Sequence, residues 1–95
     1  CALQKAISAH KEGKLQEAES LYRVILQKKP SNPDANHNLG VLVVAVGKPL
    51  EALPFLKQAL DTNPEVEQFW LSYIDALVKS GHFDEAQRLI EDSKK

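Results

Sequence analysis

Three histidines, one cysteine and a Ser-Tyr-Ile-Asp stretch are the residues from which this chain would have to build reactive or metal-binding chemistry. His10 and His37 both fall on stretches of helical periodicity and could approach each other. Two imidazoles with no carboxylate or thiolate beside them nevertheless make a poor metal site. His82 follows Ser80-Gly81 in a turn sequence, where a solvated ring is expected. Ser72, Tyr73 and Asp75 do not form a hydrolytic triad, because no histidine stands at a workable distance along that stretch. Cys1 has no second cysteine to pair with, so an internal disulfide is excluded. Gly13, Gly47 and Gly81 belong to no GxGxxG or GxxxxGK phosphate cradle. Lys28-Lys29 and Lys94-Lys95 suit helix C-termini, where cations complement the dipole, and lack the aromatic interleaving of a nucleic-acid surface. The residues predict no enzyme, no cofactor and no metal.

What the same residues do show is a period. Gly13, Gly47 and Gly81 are 34 residues apart, as are Ala18, Ala52 and Ala86, and Pro30 and Pro64 keep that register. A fixed period of this length punctuated by glycine and proline marks a helical repeat array, whose product is an extended surface for binding. Each repeat divides at its glycine into two apolar-periodic stretches of helical length. The glycine closes the first helix and opens the second, and the prolines end the second. Pro49 suits the first turn of a helix. Pro54, about five residues into the second helix of the middle repeat, removes a bond to the Leu50 carbonyl and is expected to bend that helix. Val41-Leu42-Val43-Val44-Ala45-Val46 would suit a buried strand by composition. Its place in the register makes it helix instead.

Composition sets the outer limits. The 95 residues, 43% hydrophobic and 26% charged, fit one soluble domain with a modest core. A net charge of −1 gives no field of one sign, which argues against nucleic acid and anionic membrane as partners. No apolar run approaches a membrane span, nothing reads as a signal peptide, and the single cysteine fits a cytoplasmic origin. Methionine is absent even at position 1, so the chain reads as a piece of a longer protein.

In these features the sequence resembles the tetratricopeptide repeat. The middle repeat supplies Leu39, Gly40, Val43, Gly47, Ala52, Leu56, Ala59 and Pro64. The third supplies Trp70, Tyr73, Ile74, Leu77, Gly81, Ala86 and Ile90, and the first Ala6, Ala9, Gly13, Ala18, Tyr22, Ile25 and Pro30. Lys5 departs from the pattern, as do Asn36 where tryptophan is frequent and Ser93 where alanine is usual. The third repeat also lacks the capping helix that many such arrays carry. The resemblance implies an all-α helical-repeat solenoid of three helix–turn–helix hairpins, six helices wound into a right-handed superhelix. It makes 1–95 a single domain with repeats at about 1–32, 33–66 and 67–95.

The resemblance further implies that the first helix of each hairpin lines a concave face where a polypeptide binds. Helical spacing then places Leu3, Ile7, His10 and Lys11 on that face from the first repeat. The second gives Asp34, His37, Val41, Val44 and Ala45, and the third Gln68, Leu71, Asp75, Val78 and Lys79. Leu3, Ile7, Val41, Val44, Leu71 and Val78 form an aliphatic stripe across all three helices, with Leu39, Val43, Trp70, Ile74 and Leu77 serving the core. Arrays of this family that hold acidic chaperone C-termini use a clamp of Lys, Asn, Asn, Lys and Arg. The matching positions here are Leu3, Ile7, Asn38, Gln68 and Ser72, so a carboxylate clamp is disfavoured for want of cations. The expected function is a scaffold that binds a protein or peptide in an aliphatic groove. The alternatives are a homo-oligomer formed through an open C-terminal end at Tyr73, Leu77 and Ile90, and a substrate-recruiting region of a larger enzyme such as a glycosyltransferase.

Overall fold

Each hairpin turns on a glycine held at positive φ, 81° at Gly13, 88° at Gly47 and 86° at Gly81. The same two hydrogen bonds close all three turns. Gly13, Gly47 and Gly81 donate to the carbonyls of His10, Val44 and Val78, and Lys14, Lys48 and His82 donate to those of Ala9, Val43 and Leu77. This is the Schellman closure, which needs a residue in the left-handed region and so selects glycine.

The computed structural model describes residues 2–93. They form six helices: α1 (Ala2–Lys11), α2 (Leu15–Lys28), α3 (Pro33–Ala45), α4 (Pro49–Thr62), α5 (Glu67–Lys79) and α6 (Phe83–Ser93). Cys1 and the Lys94-Lys95 pair lie outside the described residues. The Asn32 side chain caps α3 by accepting from the Ala35 N–H at 3.0 Å, with Pro33 in the first turn. The β-branched stretch from Val41 lies in α3, as the register requires. Pro54 sits inside α4 on an exposed face without interrupting the helix.

Alanines at matched positions set the spacing of the hairpins. Ala18, Ala52 and Ala86 are all buried, as are Ala6, Ala35 and Ala59, so that helix backbones approach closely where they cross. Leu39, Leu42, Val43, Leu56 and Leu77 fill the space between them, and Tyr22 is completely enclosed. Asn36, a departure from the repeat pattern, is buried, and its amide donates to the Pro30 carbonyl at 3.0 Å. One repeat later the Trp70 indole N–H donates to the Pro64 carbonyl at 2.6 Å. Two different side chains thus satisfy the carbonyl of the equivalent proline, six residues back in each case.

Two expectations about burial need correction. Trp70 and Ile74 are only half-buried rather than core. Tyr73 and Leu77, expected at an open apolar end, are buried beneath α6. Tyr73 donates to the Glu85 carboxylate at 3.1 Å, and burial together with that carboxylate pushes its hydroxyl pKa up to about 12. Ile90 alone of the three is exposed.

The curvature follows from which helices meet. α1 packs on α3 and α3 on α5, whereas among the described residues the backbones of α2, α4 and α6 stay farther apart, and α2 meets α4 through side chains, the Arg23 guanidinium lying 5.6 Å from the Phe55 ring centroid. The layer of first helices is therefore the inside of the bend.

Candidate functional site

The inner layer presents a cleft of about 450 Å³ between α3 and α5. Val41, Val44 and Ala45 form one wall, Leu71, Ser72 and Asp75 the other, and Leu56 of α4 the floor. Gln68 and Lys79 stand at its two ends. The walls come from residues three and four apart on facing helices, the spacing that stacks side chains along one helix face. The floor comes from Gly40: with no side chain there, α4 approaches α3 so closely that a Cβ would lie 2.5 Å from Leu56 Cδ2.

Electrostatically the cleft is nearly neutral. Asp75 and Lys79 form an ion pair at 3.1 Å along α5, which leaves no net charge on that rim. At the other end His37 Nε2 lies 2.7 Å from the Ser72 hydroxyl, and the Gln68 amide donates to the same oxygen at 3.2 Å. His37 Nδ1 is 3.3 Å from Asn38 Oδ1, and the ring lies 4.8 Å from that of Phe69. Burial lowers the His37 pKa below 6.5, opposed in part by Asn38 and by the charge of Asp34.

That shift has a definite sign. The unfolded chain takes up the His37 proton at a higher pH than the folded chain does. Stability is therefore unaffected above pH 6.5 and falls as the pH drops below it, until the folded ring protonates too. Urea unfolding of the wild type and of His37→Gln at pH 7.5 and 5.0 tests this. The variant is expected to lose less stability over the interval; equal losses would remove His37 as the cause.

The nine residues singled out from the sequence are placed as follows. Val41, Val44, Leu71 and Asp75 line the cleft together. His37 sits in the hydrogen-bonded cluster at its edge. Leu3 of α1 is half-buried against the core, Ile7 is half-buried on the same helix, and Val78 is exposed on α5 outside the cleft lining. His10 lies 3.4 Å from the Tyr22 hydroxyl within the first hairpin, with the two rings edge to face. It therefore shares no partner with His37, and the described residues contain no group of three His, Cys, Asp or Glu suited to a metal. Sequence reasoning missed Leu56 as the floor and the contact of His37 with Ser72. The first is on an outer helix, and the second joins residues 35 apart, a distance that no local pattern spans.

A neutral cleft on the inner layer of a curved helical array defines a binding module built from stacked repeats. The chain belongs to the tetratricopeptide repeat family: the family's sequence model matches residues 43–95. Among solved structures, the fold matches the first tetratricopeptide domain of Spaghetti (RPAP3) with a TM-score of 0.87 and 21% identity, covering 95% of this chain and 71% of that one. It matches the second such domain of the same protein with a TM-score of 0.87 and 20% identity, covering 95% and 83%. Both were solved bound to the HSP90 peptide SRMEEVD. At such identities the likeness is one of fold. None of the curated proteins matches the chain significantly. No described helix is long and apolar enough to cross a membrane.

Proposed function

We propose that this chain is a protein-interaction module that takes a polypeptide segment along its inner face, with aliphatic side chains seated in the cleft between α3 and α5. The observation that carries the reading is the cleft itself, with Val41, Val44, Leu56 and Leu71 around a space that suits one or two branched side chains. Burying one such side chain contributes roughly 1.5–3 kcal/mol, so a few of them offset the cost of association and reach micromolar affinity. The peptide complexes formed by the two Spaghetti domains support a peptide as the class of partner.

The residues favour an aliphatic segment over an acidic C-terminus. The clamp positions Leu3, Ile7, Asn38, Gln68 and Ser72 hold no cation, and Gln68 and Ser72 are hydrogen-bonded to each other, with His37 also on Ser72. A terminal carboxylate brought there would shed its hydration without a charge-assisted partner.

Two measurements test the reading. Val44→Glu places a charge on the cleft wall and is expected to weaken an aliphatic peptide at least about tenfold, with helicity by circular dichroism unchanged. A peptide ending in an amide is expected to bind as well as the same peptide ending in a carboxylate. Unchanged affinity in the variant, or strong preference for the carboxylate, would overturn it.

A further inference from the structure

The backbones of the outer helices stay apart, and a groove opens between each consecutive pair of them. The two grooves are the same place one repeat apart. Between α2 and α4 the walls are Arg23, Leu26 and Gln27 on one side and Phe55 on the other, around about 260 Å³. One period of 34 residues on, these positions are Lys57, Leu60, Asp61 and Leu89, and all four line the groove between α4 and α6. Each groove is walled by two consecutive hairpins, so neither owes its opening to an end of the array.

The chain fills the two differently. In the first, the Arg23 guanidinium lies over the Phe55 ring, and its Nε donates to the Glu19 carboxylate at 2.9 Å. A flat cation on an aromatic face closes that groove. In the second, Leu89 stands where Phe55 does, and Lys57 turns along its own helix to Asp61 at 3.0 Å. This groove stays open, at about 380 Å³. Its ring is at the base instead: Trp70 holds the position of Asn36, with its N–H on Pro64 and no cation over it among the described residues. The half-buried Glu85 lines the same groove. Tyr73 donates to its Oε2 at 3.1 Å, and no cation pairs with it among the described residues.

We propose that the groove between α4 and α6 takes an arginine side chain of a partner polypeptide, its stem along Leu60, Pro64 and Leu89 and its guanidinium on Trp70 and Glu85. The occupant restores what Arg23 and Phe55 make in the first groove, with Glu85 supplying the carboxylate that Glu19 supplies there. Lys57 and Asp61 cancel each other, so Glu85 is the uncompensated charge and selects a cation over a neutral or acidic side chain. Arginine suits the groove better than lysine, because a planar guanidinium stacks on the indole and donates to the carboxylate at once. A second copy of this chain is the poorer occupant. Its Arg23 is held by Glu19 and Phe55, and its Arg88 would bring α6, with Asp84, Glu85 and Glu91, against the same acidic helix. No residue lines both this groove and the inner cleft, so the two sites are independent.

The probes are N-acetyl-arginine amide and its citrulline counterpart, which has nearly the same shape and no charge. Trp70 is the only tryptophan, so its indole N–H resonance reports on the groove directly. The arginine probe is expected to shift that resonance saturably and to bind at least about fivefold more tightly than the citrulline probe at low salt, with the gap narrowing as salt rises. Glu85→Gln keeps an acceptor for Tyr73 while removing the charge, and should abolish the preference. Leu89→Arg supplies a guanidinium four residues along α6 from Glu85, the ion-pair spacing of a helix, and should block the arginine probe. Val44→Glu, in the inner cleft, should leave it unchanged. Equal binding of the two probes, a preference that survives Glu85→Gln, or loss of binding in Val44→Glu would overturn the proposal. So would a solution mass that doubles with concentration in the wild type but not in Glu85→Gln, which gives the groove to a second copy. Because the cleft is scored at Val44 and the groove at Glu85 and Leu89, failure here is distinguishable from failure of the cleft reading.

Discussion

Leu56→Ala is expected to lower the unfolding free energy by roughly 2–5 kcal/mol, the range for truncating a buried leucine where the surroundings relax only in part. Leu56 is 1% exposed and sits at the junction of three helices: it extends from α4, lies against Gly40 of α3 and forms the floor beneath Leu71 of α5. A backbone cannot collapse onto the vacated space without drawing three helices together at once, which places the cost toward the upper part of that range. A domain of this size has about 5–15 kcal/mol in total, so the variant should unfold at a urea concentration lower by tens of per cent. Chemical denaturation followed by far-ultraviolet circular dichroism measures it. A loss below about 1 kcal/mol would mean that the junction repacks freely. The same substitution deepens the cleft, so the folded variant should gain affinity for a peptide with a larger side chain at that position relative to the parent peptide.

Much of this arrangement is legible in the chain before any coordinates. The glycine period fixes three turns, and all three close with the same pair of hydrogen bonds around a residue in the left-handed region, which glycine enters without strain. The helical reading of Val41–Ala45 is correct for the reason that register outweighs β-propensity once tertiary packing acts. What stays hidden involves depth rather than period. Tyr73 and Leu77 read as an open end because nothing in their spacing says that α6 reaches over them, nor that Glu85 accepts from the tyrosine hydroxyl. Asn36 reads as a defect beside Trp70, yet the two side chains donate to equivalent carbonyls. A pattern of residue sizes cannot show a shared hydrogen bond. In the cleft, Val41, Val44, Leu71 and Asp75 could be drawn from helical spacing alone. The floor could not, because it depends on how near α4 comes to α3, and that distance is set by the absence of a side chain at Gly40.

Gly40→Val is expected to cost about 3 kcal/mol, at the upper end of overpacking. A Cβ at that position lies 2.5 Å from Leu56 Cδ2 and 2.6 Å from Leu56 Cγ, and valine adds two methyl groups to the same crowded space. The smaller change Gly40→Ala separates the clash from the backbone. In the wild type it trades a gain of about 1 kcal/mol in helix propensity against a larger steric cost, and should be net destabilising. In a Leu56→Ala background Cγ and Cδ2 are gone, and the nearest atom of residue 56 is the backbone nitrogen at 3.4 Å, which the new methyl group can accept. Gly40→Ala should then stabilise the protein by about 1 kcal/mol, because propensity acts unopposed and part of the cavity is filled. The substitution thus changes sign with its neighbour, a coupling of about 2 kcal/mol and within the range for residues in direct contact. The third repeat supports the direction of this expectation. It carries Ile74 and Ile90 at the equivalent positions, and its two helices pack less extensively on each other than α3 and α4 do. A double-mutant cycle in urea decides the point. If Gly40→Ala has the same effect in both backgrounds, Leu56 is not what reserves the space at Gly40, and the close approach of α3 and α4 has some other cause.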